Sequence, residues 1–239
     1  MSDKSVIVIG GGIAGLTASS LLAHAGLPVT LLESHHQPGG CAGTFRRGPY
    51  TFDVGATQVA GLEPGGIHER IFRHLSMPLP QAELLDPGCV VDLSDGLEPI
   101  SLWHDKNRWK IETQSQFPNS QSFWDLCSDI HRISWAFSSR DPIIPPRNRW
   151  DLLKFLQAMS PSTIGLGLLS GFTVVDLLRL SGCQHDARLR HFLDLQLRLY
   201  SQESANRTAA LYGATVLKWL RHLLAFGICS DQCKSYLRV

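Results

Sequence analysis

Three glycines, Gly10, Gly12 and Gly15, stand between a short β-branched run and an alanine- and leucine-rich run, and this placement limits what the chain can fold into. Residues 5–9 (SVIVI) read as a buried strand, because the run is short, continuous, apolar and ended by glycine. Residues 10–15 read as a turn, and residues 14–25 as a helix with Gly26 just past its end. Residues 28–32 (PVTLL) read as a second strand that ends at Glu33. Strand, turn, helix and strand in this order make a βαβ unit with parallel strands and a right-handed crossover. The fold class expected is α/β, with a Rossmann-like unit at the N-terminus followed by a mixed, helix-rich α+β region.

Each residue of the turn has a chemical reason. Gly10 makes the tight bend, Gly12 lets the backbone approach a pyrophosphate, and Gly15 lets helix and strand pack closely. Ile13 and Ala14 lie where the turn passes into the helix, so a phosphate there meets the positive end of its dipole. Glu33 is placed to accept hydrogen bonds from ribose hydroxyls, and its charge repels a 2′-phosphate, which disfavours NADP. A turn that binds nothing does not need three glycines at this spacing. Gly39 and Gly40 follow the second strand, where bare backbone can also approach a cofactor. Spacing alone leaves FAD and NAD both open.

Farther along, residues 90–93 and 100–104 are strand-like and flank Asp95-Gly96, a strong turn signal. Residues 109–112 are the expected third strand of an antiparallel meander. Phe123, Leu126, Cys127, Ile130, Ile133 and Phe137 repeat at helical spacing, and residues 150–159 and 189–200 also read as helices. Residues 141–146 (DPIIPP) form a rigid break. The expected organisation is residues 1–66 as the N-terminal part of a dinucleotide-binding domain, 67–217 as a substrate or cap region, and 218–239 as an aberrant or amphipathic tail.

Composition excludes several classes. The formal net charge of +1 argues against a nucleic-acid partner. The histidines and the six cysteines show no metal-ligand spacing, so no metal site is assigned. No signal peptide is apparent, which points to a reducing compartment. The longest apolar stretch, residues 164–175, is too short for a spanning helix, which needs about 20 residues.

Three segments carry a resemblance: VIVIGGGIAGLTA with LLE, PGGCAGTFRRG, and YTFDVGATQVAGLEPGGIHERIFRHL. Together they resemble FAD-dependent carotenoid desaturases and isomerases among the amine-oxidase-like flavoproteins. The similarity continues through PPRNRWDLLKF, HDARLRHFLDLQLRLYSQ and AALYGATVL. The resemblance implies FAD as cofactor, gripped by Gly10, Gly12, Gly15 and Glu33 with Gly39 and Gly40 as the family's Gly-Gly pair. Asp53, Gly55, Ala56 and Thr57 match a segment that in such folds runs near the flavin, with Asp53 read as a structural carboxylate. Many phytoene desaturases carry arginine directly after the Gly-Gly pair, and Cys41 stands there in this chain. That departure points to the 3′,4′-desaturase subgroup, and Cys41 itself is expected to be a small buried filler.

The implied reaction is dehydrogenation of a carotenoid at its 3′,4′ carbons, with no catalytic base assigned. Cis–trans isomerisation of such a polyene uses the same grip. An apolar tunnel is expected, with residues 164–180 and the helix around Phe192 as candidate walls. A greasy substrate implies docking on the cytoplasmic face of a membrane without crossing it. Two further readings remain open: an NAD-dependent reductase, and a dinucleotide-binding module without turnover.

After Leu217 the resemblance stops. The family continues there with Met-Ala-Gln-Ala and, later, Trp-His-Leu. Reading the codons of residues 218–222 one frame over allows Met, Ala, Gln and Ala in order, and Phe226 to Cys229 allows Trp, His and Leu. The expectation is a frameshift near Lys218 that leaves an N-terminal fragment with little activity. The alternative is an authentic amphipathic helix built on Trp219, Leu220, Leu223, Leu224 and Phe226.

Overall fold

The computed structural model describes residues 5–53, 61–62, 64–80, 83–84, 86–223, 226–227 and 236–238. In chain order its elements are β1 (Val6–Ile9), α1 (Ile13–His24), β2 (Val29–Leu32), a 3₁₀ turn (Gly40–Ala42), β3 (Thr44–Arg47), β4 (Tyr50–Asp53), α2 (Ile67–His74), β5 (Glu83–Leu84), β6 (Cys89–Asp92) and β7 (Ile100–Leu102). Then follow α3 (Lys106–Gln116), α4 (Gln121–Ser138), α5 (Arg149–Ala158), α6 (Pro161–Gly167), α7 (Val174–Leu180), α8 (Ala187–Ser201), α9 (Ala210–Leu223), β8 (Phe226–Gly227) and β9 (Tyr236–Arg238). They divide into two compact units, Met1–Leu85 with Leu223–Cys233, and Asp86–His222 with Lys234–Val239.

The first unit contains the expected βαβ. β1 and β2 pair in parallel, Val6 opposite Val29 and Ile9 opposite Leu32. α1 ends with Gly26 at φ +84°, a left-handed position that closes the helix without a Cβ penalty. The expectation of a buried first strand needs correction. Val6 and Val8 are half-buried, but Ile7 and Ile9 on the opposite face are exposed, Ile9 at 85%. A two-stranded sheet with α1 on one side covers one face only. A β3–β4 hairpin that the sequence reading did not anticipate follows the glycine pair, with the rings of Phe45 and Phe52 stacked at 5.0 Å.

The second unit has a small sheet and a helical core. β6 pairs antiparallel with β7 around the Asp95-Gly96 turn, as expected. The third strand of that sheet is β9, which runs parallel to β6. Residues 109–112 are not a strand; they lie in α3. Asp105 decides this, because its side chain accepts the N–H groups of Asn107 and Arg108 and so caps a helix start. The helices at 121–138, 149–158 and 187–201 match expectation. α7 starts with a full capping box between Thr173 and Asp176.

Phe117, Phe123 and Phe192 are among the fully buried side chains, each worth about 1.5–3 kcal/mol of burial. Phe192 packs on Phe117 with ring centroids 5.3 Å apart, so it is part of the helical core. Across 164–180, Val174, Leu177 and Leu178 are buried, whereas Ile164, Leu168 and Leu180 are exposed. α9 is continuous through Leu217 and Lys218 to Leu223. Among the described residues, no helix is long and apolar enough to cross a membrane.

Candidate functional site

The candidate site is built where β1 meets α1. Gly10 adopts φ +101°, which a side chain would strain, and its N–H donates to the Leu32 carbonyl at 2.7 Å. Gly12 is the N-cap of α1 and offers no side-chain cap. The first helical bond runs from Leu16 N–H to the Gly12 carbonyl at 2.9 Å. The N–H groups of Ile13, Ala14 and Gly15 therefore have no partner within the helix, the situation at every helix start. A Cβ on Gly12 would meet no described residue within 4 Å, so among the described residues bare backbone there faces open space. A Cβ on Gly15 would lie 1.8 Å from the Gly10 carbonyl oxygen. The spacing of the three glycines thus reflects two needs, close packing at Gly15 and access at Gly12.

Glu33 closes the loop from the other side. Its Oε2 accepts the Gly11 N–H at 2.5 Å, and its Oε1 accepts the His35 N–H at 2.8 Å. These N–H groups, His35 first and Gly11 second, hold the Glu33 carboxyl below the ordinary carboxylate range. Ser34 Oγ also donates to Glu33 Oε1, at 3.4 Å; a carboxylate has about four lone-pair sites, so room is left for a hydroxyl donor. Gly11 was not singled out by the glycine pattern, although the run of three consecutive glycines is the signal that marks it. A Cβ on Gly11 would sit 2.9 Å from Glu33 Oε2.

The second glycine pair is brought to the first. Gly39 donates its N–H to the Gly11 carbonyl at 2.8 Å and forms a parallel bridge with Gly12. Gly39 and Gly40 have φ values of +126° and +57°, and a Cβ on Gly40 would be 3.2 Å from the Gly12 Cα. Two bare-backbone segments therefore meet at Gly12. Cys41, expected to be buried, is exposed because it rides on the 3₁₀ turn outside the glycine contacts. Gly55, Ala56 and Thr57 lie outside the described residues, as does the side chain of Asp53. The cradle fits a dinucleotide: a Gly12 open among the described residues, helix-start N–H groups without a partner in the helix for a pyrophosphate, and a carboxylate at the end of β2 for a ribose.

Comparison with known proteins agrees with this geometry. Residues 8–75 match a family model described as an NAD(P)-binding Rossmann-like domain. All-trans-retinol 13,14-reductase of Homo sapiens is 30% identical over 123 residues, which cover 50% of this chain and 20% of that protein. Chloroplastic prolycopene isomerase of Daucus carota is 34% identical over 121 residues, again 50% of this chain and 20% of that protein. The chain thus spans about a fifth of the length of these relatives. A putrescine oxidase of known structure superposes with a TM-score of 0.55 at 16% identity, covering 94% of this chain and 45% of that one. Cradle, topology and sequence match converge on the same segment, and residues 8–75, which match the NAD(P)-binding Rossmann-like model, have a Rossmann-like fold.

Proposed function

We propose that this protein is a FAD-dependent oxidoreductase of the amine-oxidase-like class, acting on a carotenoid by dehydrogenation at the 3′,4′ carbons. The observation that carries the reading is the meeting of Gly39–Gly40 with Gly11–Gly12, in a chain similar to enzymes named for retinol and prolycopene. A single glycine loop serves NAD as well as FAD; the second glycine pair and the polyene-related similarity favour FAD.

The N–H groups of Ile13, Ala14 and Gly15 would orient the pyrophosphate, and Gly12 would let it approach. Glu33 would accept the ribose hydroxyls while keeping its bonds to Gly11 and His35. Gly39, Gly40, Gly55, Ala56 and Thr57 are assigned to the same cofactor. Bound FAD would supply hydride acceptance from an allylic C–H, and the protein's task is then to position the polyene and exclude water. Exposed Trp150, Leu153, Leu156, Ile164 and Leu168 support docking on a membrane surface, from which such a substrate would enter.

The similarity to prolycopene isomerase favours a second reading, cis–trans isomerisation of the same substrate class. Expression in a carotenoid-producing bacterial host separates them. Desaturation yields a product lighter by two hydrogens with a red-shifted absorption spectrum. Isomerisation changes the spectrum at constant mass. A chain that purifies without flavin, fails to take up FAD, and binds NAD instead would overturn both.

A further inference from the structure

α5 is held on the second unit by one face and leaves the opposite face uncovered. Its inward residues are Asp151, Phe155 and Ala158. Asp151 accepts the Arg147 N–H at 3.0 Å, Phe155 meets Phe137 of α4 edge to face at 6.0 Å, and the Ala158 carbonyl accepts Arg140 Nη1 at 2.9 Å. Helical spacing points Arg149, Leu153 and Leu156 the other way, with Trp150 beside them. Trp150 and Leu156 are more than half exposed, and Leu153 is exposed too. Ile164 and Leu168, a short way past the end of α5, add to the exposed apolar surface. The charges on this stretch are of one sign at the surface. Between residues 142 and 175 the cations are Arg147, Arg149 and Lys154, and the one carboxylate is Asp151, which is buried. Arg73, Arg108, Arg179 and Arg188 each pair with a carboxylate. Among the described residues no carboxylate forms such a pair with Arg147, Arg149 or Lys154. Lys154 Nζ lies 5.2 Å from the Trp150 ring centre, which keeps an ammonium beside the indole.

We propose that the outer face of α5 docks on an anionic phospholipid bilayer, with Trp150, Leu153 and Leu156 in the headgroup–acyl boundary and Arg147, Arg149 and Lys154 on the lipid phosphates. The inference rests on the reading above of a polyene substrate taken from a bilayer, and adds the face that docks and the lipid charge it requires. An acidic lipid surface answers both features of the face, apolar side chains and unpaired cations. A second copy of this chain answers only the first, because a two-fold contact would set the same cations against each other. One apolar helix face binds a bilayer weakly by itself, and so does a small basic cluster, so stable docking needs the two together. Arginine and lysine suit the phosphate of a headgroup, and tryptophan suits the polar–apolar boundary.

The test is sedimentation of the whole chain with phosphatidylcholine vesicles, with and without phosphatidylglycerol, in the absence of flavin and carotenoid. Binding to the anionic vesicles about tenfold or more tighter than to the neutral ones, and weakened by salt, is expected. Arg147→Gln, Arg149→Gln and Lys154→Gln together should remove about fivefold per cation and abolish both the salt dependence and the preference for phosphatidylglycerol. Leu153→Ser with Leu156→Ser should weaken binding to both vesicle types by about tenfold. These side chains lie off the packed face, so both variants should unfold in urea at the natural midpoint, which separates lost docking from lost folding. Equal binding to the two vesicle types, no sedimentation with either, or variants that bind like the natural chain would overturn the proposal. So would a dimer in sedimentation velocity that Leu153→Ser with Leu156→Ser dissociates, since a second copy would then cover the face. Flavin uptake is measured separately. A chain that takes up FAD and ignores anionic vesicles removes the docking face alone, whereas one that docks without taking up FAD supports the face and removes the proposed cofactor.

Discussion

Glu33 Oε2 accepts the backbone N–H of Gly11 at 2.5 Å, tying the end of β2 to the glycine loop that follows β1. The carboxylate therefore shapes the loop, and under the proposed function it would also offer lone pairs to a ribose. Glu33→Gln keeps an acceptor but loses the charge. It is expected to weaken binding of FAD or ADP on the order of tenfold, as loss of a charge-assisted bond does, and to relax discrimination against 2′-phosphorylated nucleotides. Titration calorimetry with ADP and 2′-phospho-ADP-ribose measures both effects. The pH dependence has a defined sign. The folded carboxyl is held below its ordinary value of 4.5 by the His35 and Gly11 N–H groups. Its contribution is then complete above that value and disappears as pH falls through the lowered one. ADP affinity should fall in that acid range for the natural chain, and Glu33→Gln should be flat across it.

Gly12 and Gly15 separate access from packing. At Gly12 a Cβ meets no described residue within 4 Å, and φ is −74°, so Gly12→Ala should fold with unchanged Tm. Its methyl group would occupy the space that a pyrophosphate needs, so ADP and FAD binding should fall by about tenfold or more. At Gly15 the same methyl group would lie 1.8 Å from the Gly10 carbonyl oxygen, forcing α1 away from the turn. Gly15→Ala should cost about 1–3 kcal/mol or more, seen as a lower denaturation midpoint of the first unit, with binding lost as a consequence. If Gly12→Ala bound ADP normally, the open face at Gly12 would not be the phosphate site.

The βαβ unit was legible because its signals are local. Glycine at a left-handed turn, a β-branched run and a C-cap glycine each act within a few residues of one another. The approach of Gly39–Gly40 to Gly11–Gly12 was suggested by order along the chain, but the bond from Gly39 N–H to Gly11 O depends on the parallel register of β1 and β2. Exposure of Ile7 and Ile9 was not legible, because an apolar strand reads the same whether one face or both are covered. The β3–β4 hairpin was missed because TFRR, between glycine-rich pieces, carries little strand pattern. Residues 109–112 were misread because β-like composition was weighed without the Asp105 cap that precedes them.

Arg188 links parts of the second unit that are far apart in sequence. Its guanidinium donates to Asp95 at 2.7 Å, to the Glu98 carbonyl at 2.9 Å, and to the Gln116 carbonyl at 3.2 Å. It thus holds the β6–β7 turn and the end of α3 against the start of α8. Arg188→Met keeps the stem and removes the fork, and the two lost carbonyl bonds should cost about 1–3 kcal/mol in denaturant unfolding. Arg188 is also the first cause of the lowered Asp95 carboxyl. The difference between the natural chain and the variant should therefore be largest above the ordinary aspartate range, and narrow as pH falls through the lowered Asp95 value. A difference that stays constant with pH would remove Asp95 from the account.

Asp105 determines what the following residues become. Its carboxylate accepts Asn107 N–H at 3.0 Å and Arg108 N–H at 2.8 Å, and its carbonyl accepts Trp109 N–H at 2.9 Å. The first two are groups that a helix start leaves without partners, and the third is the first bond of the helix itself. The residues that follow, Lys106 to Gln116, then present Trp109 and Thr113 inward one turn apart. Asp105→Ala removes the side-chain acceptor and should destabilise the second unit by about 1 kcal/mol, whereas Asp105→Asn and Asp105→Ser should retain most of the cap. Urea unfolding followed by tryptophan fluorescence reads this directly, because buried Trp109 reports on the first turns of α3. If Asp105→Ala unfolded at the same midpoint as Asp105→Asn, the packing of Trp109 rather than the cap would be what makes this segment helical.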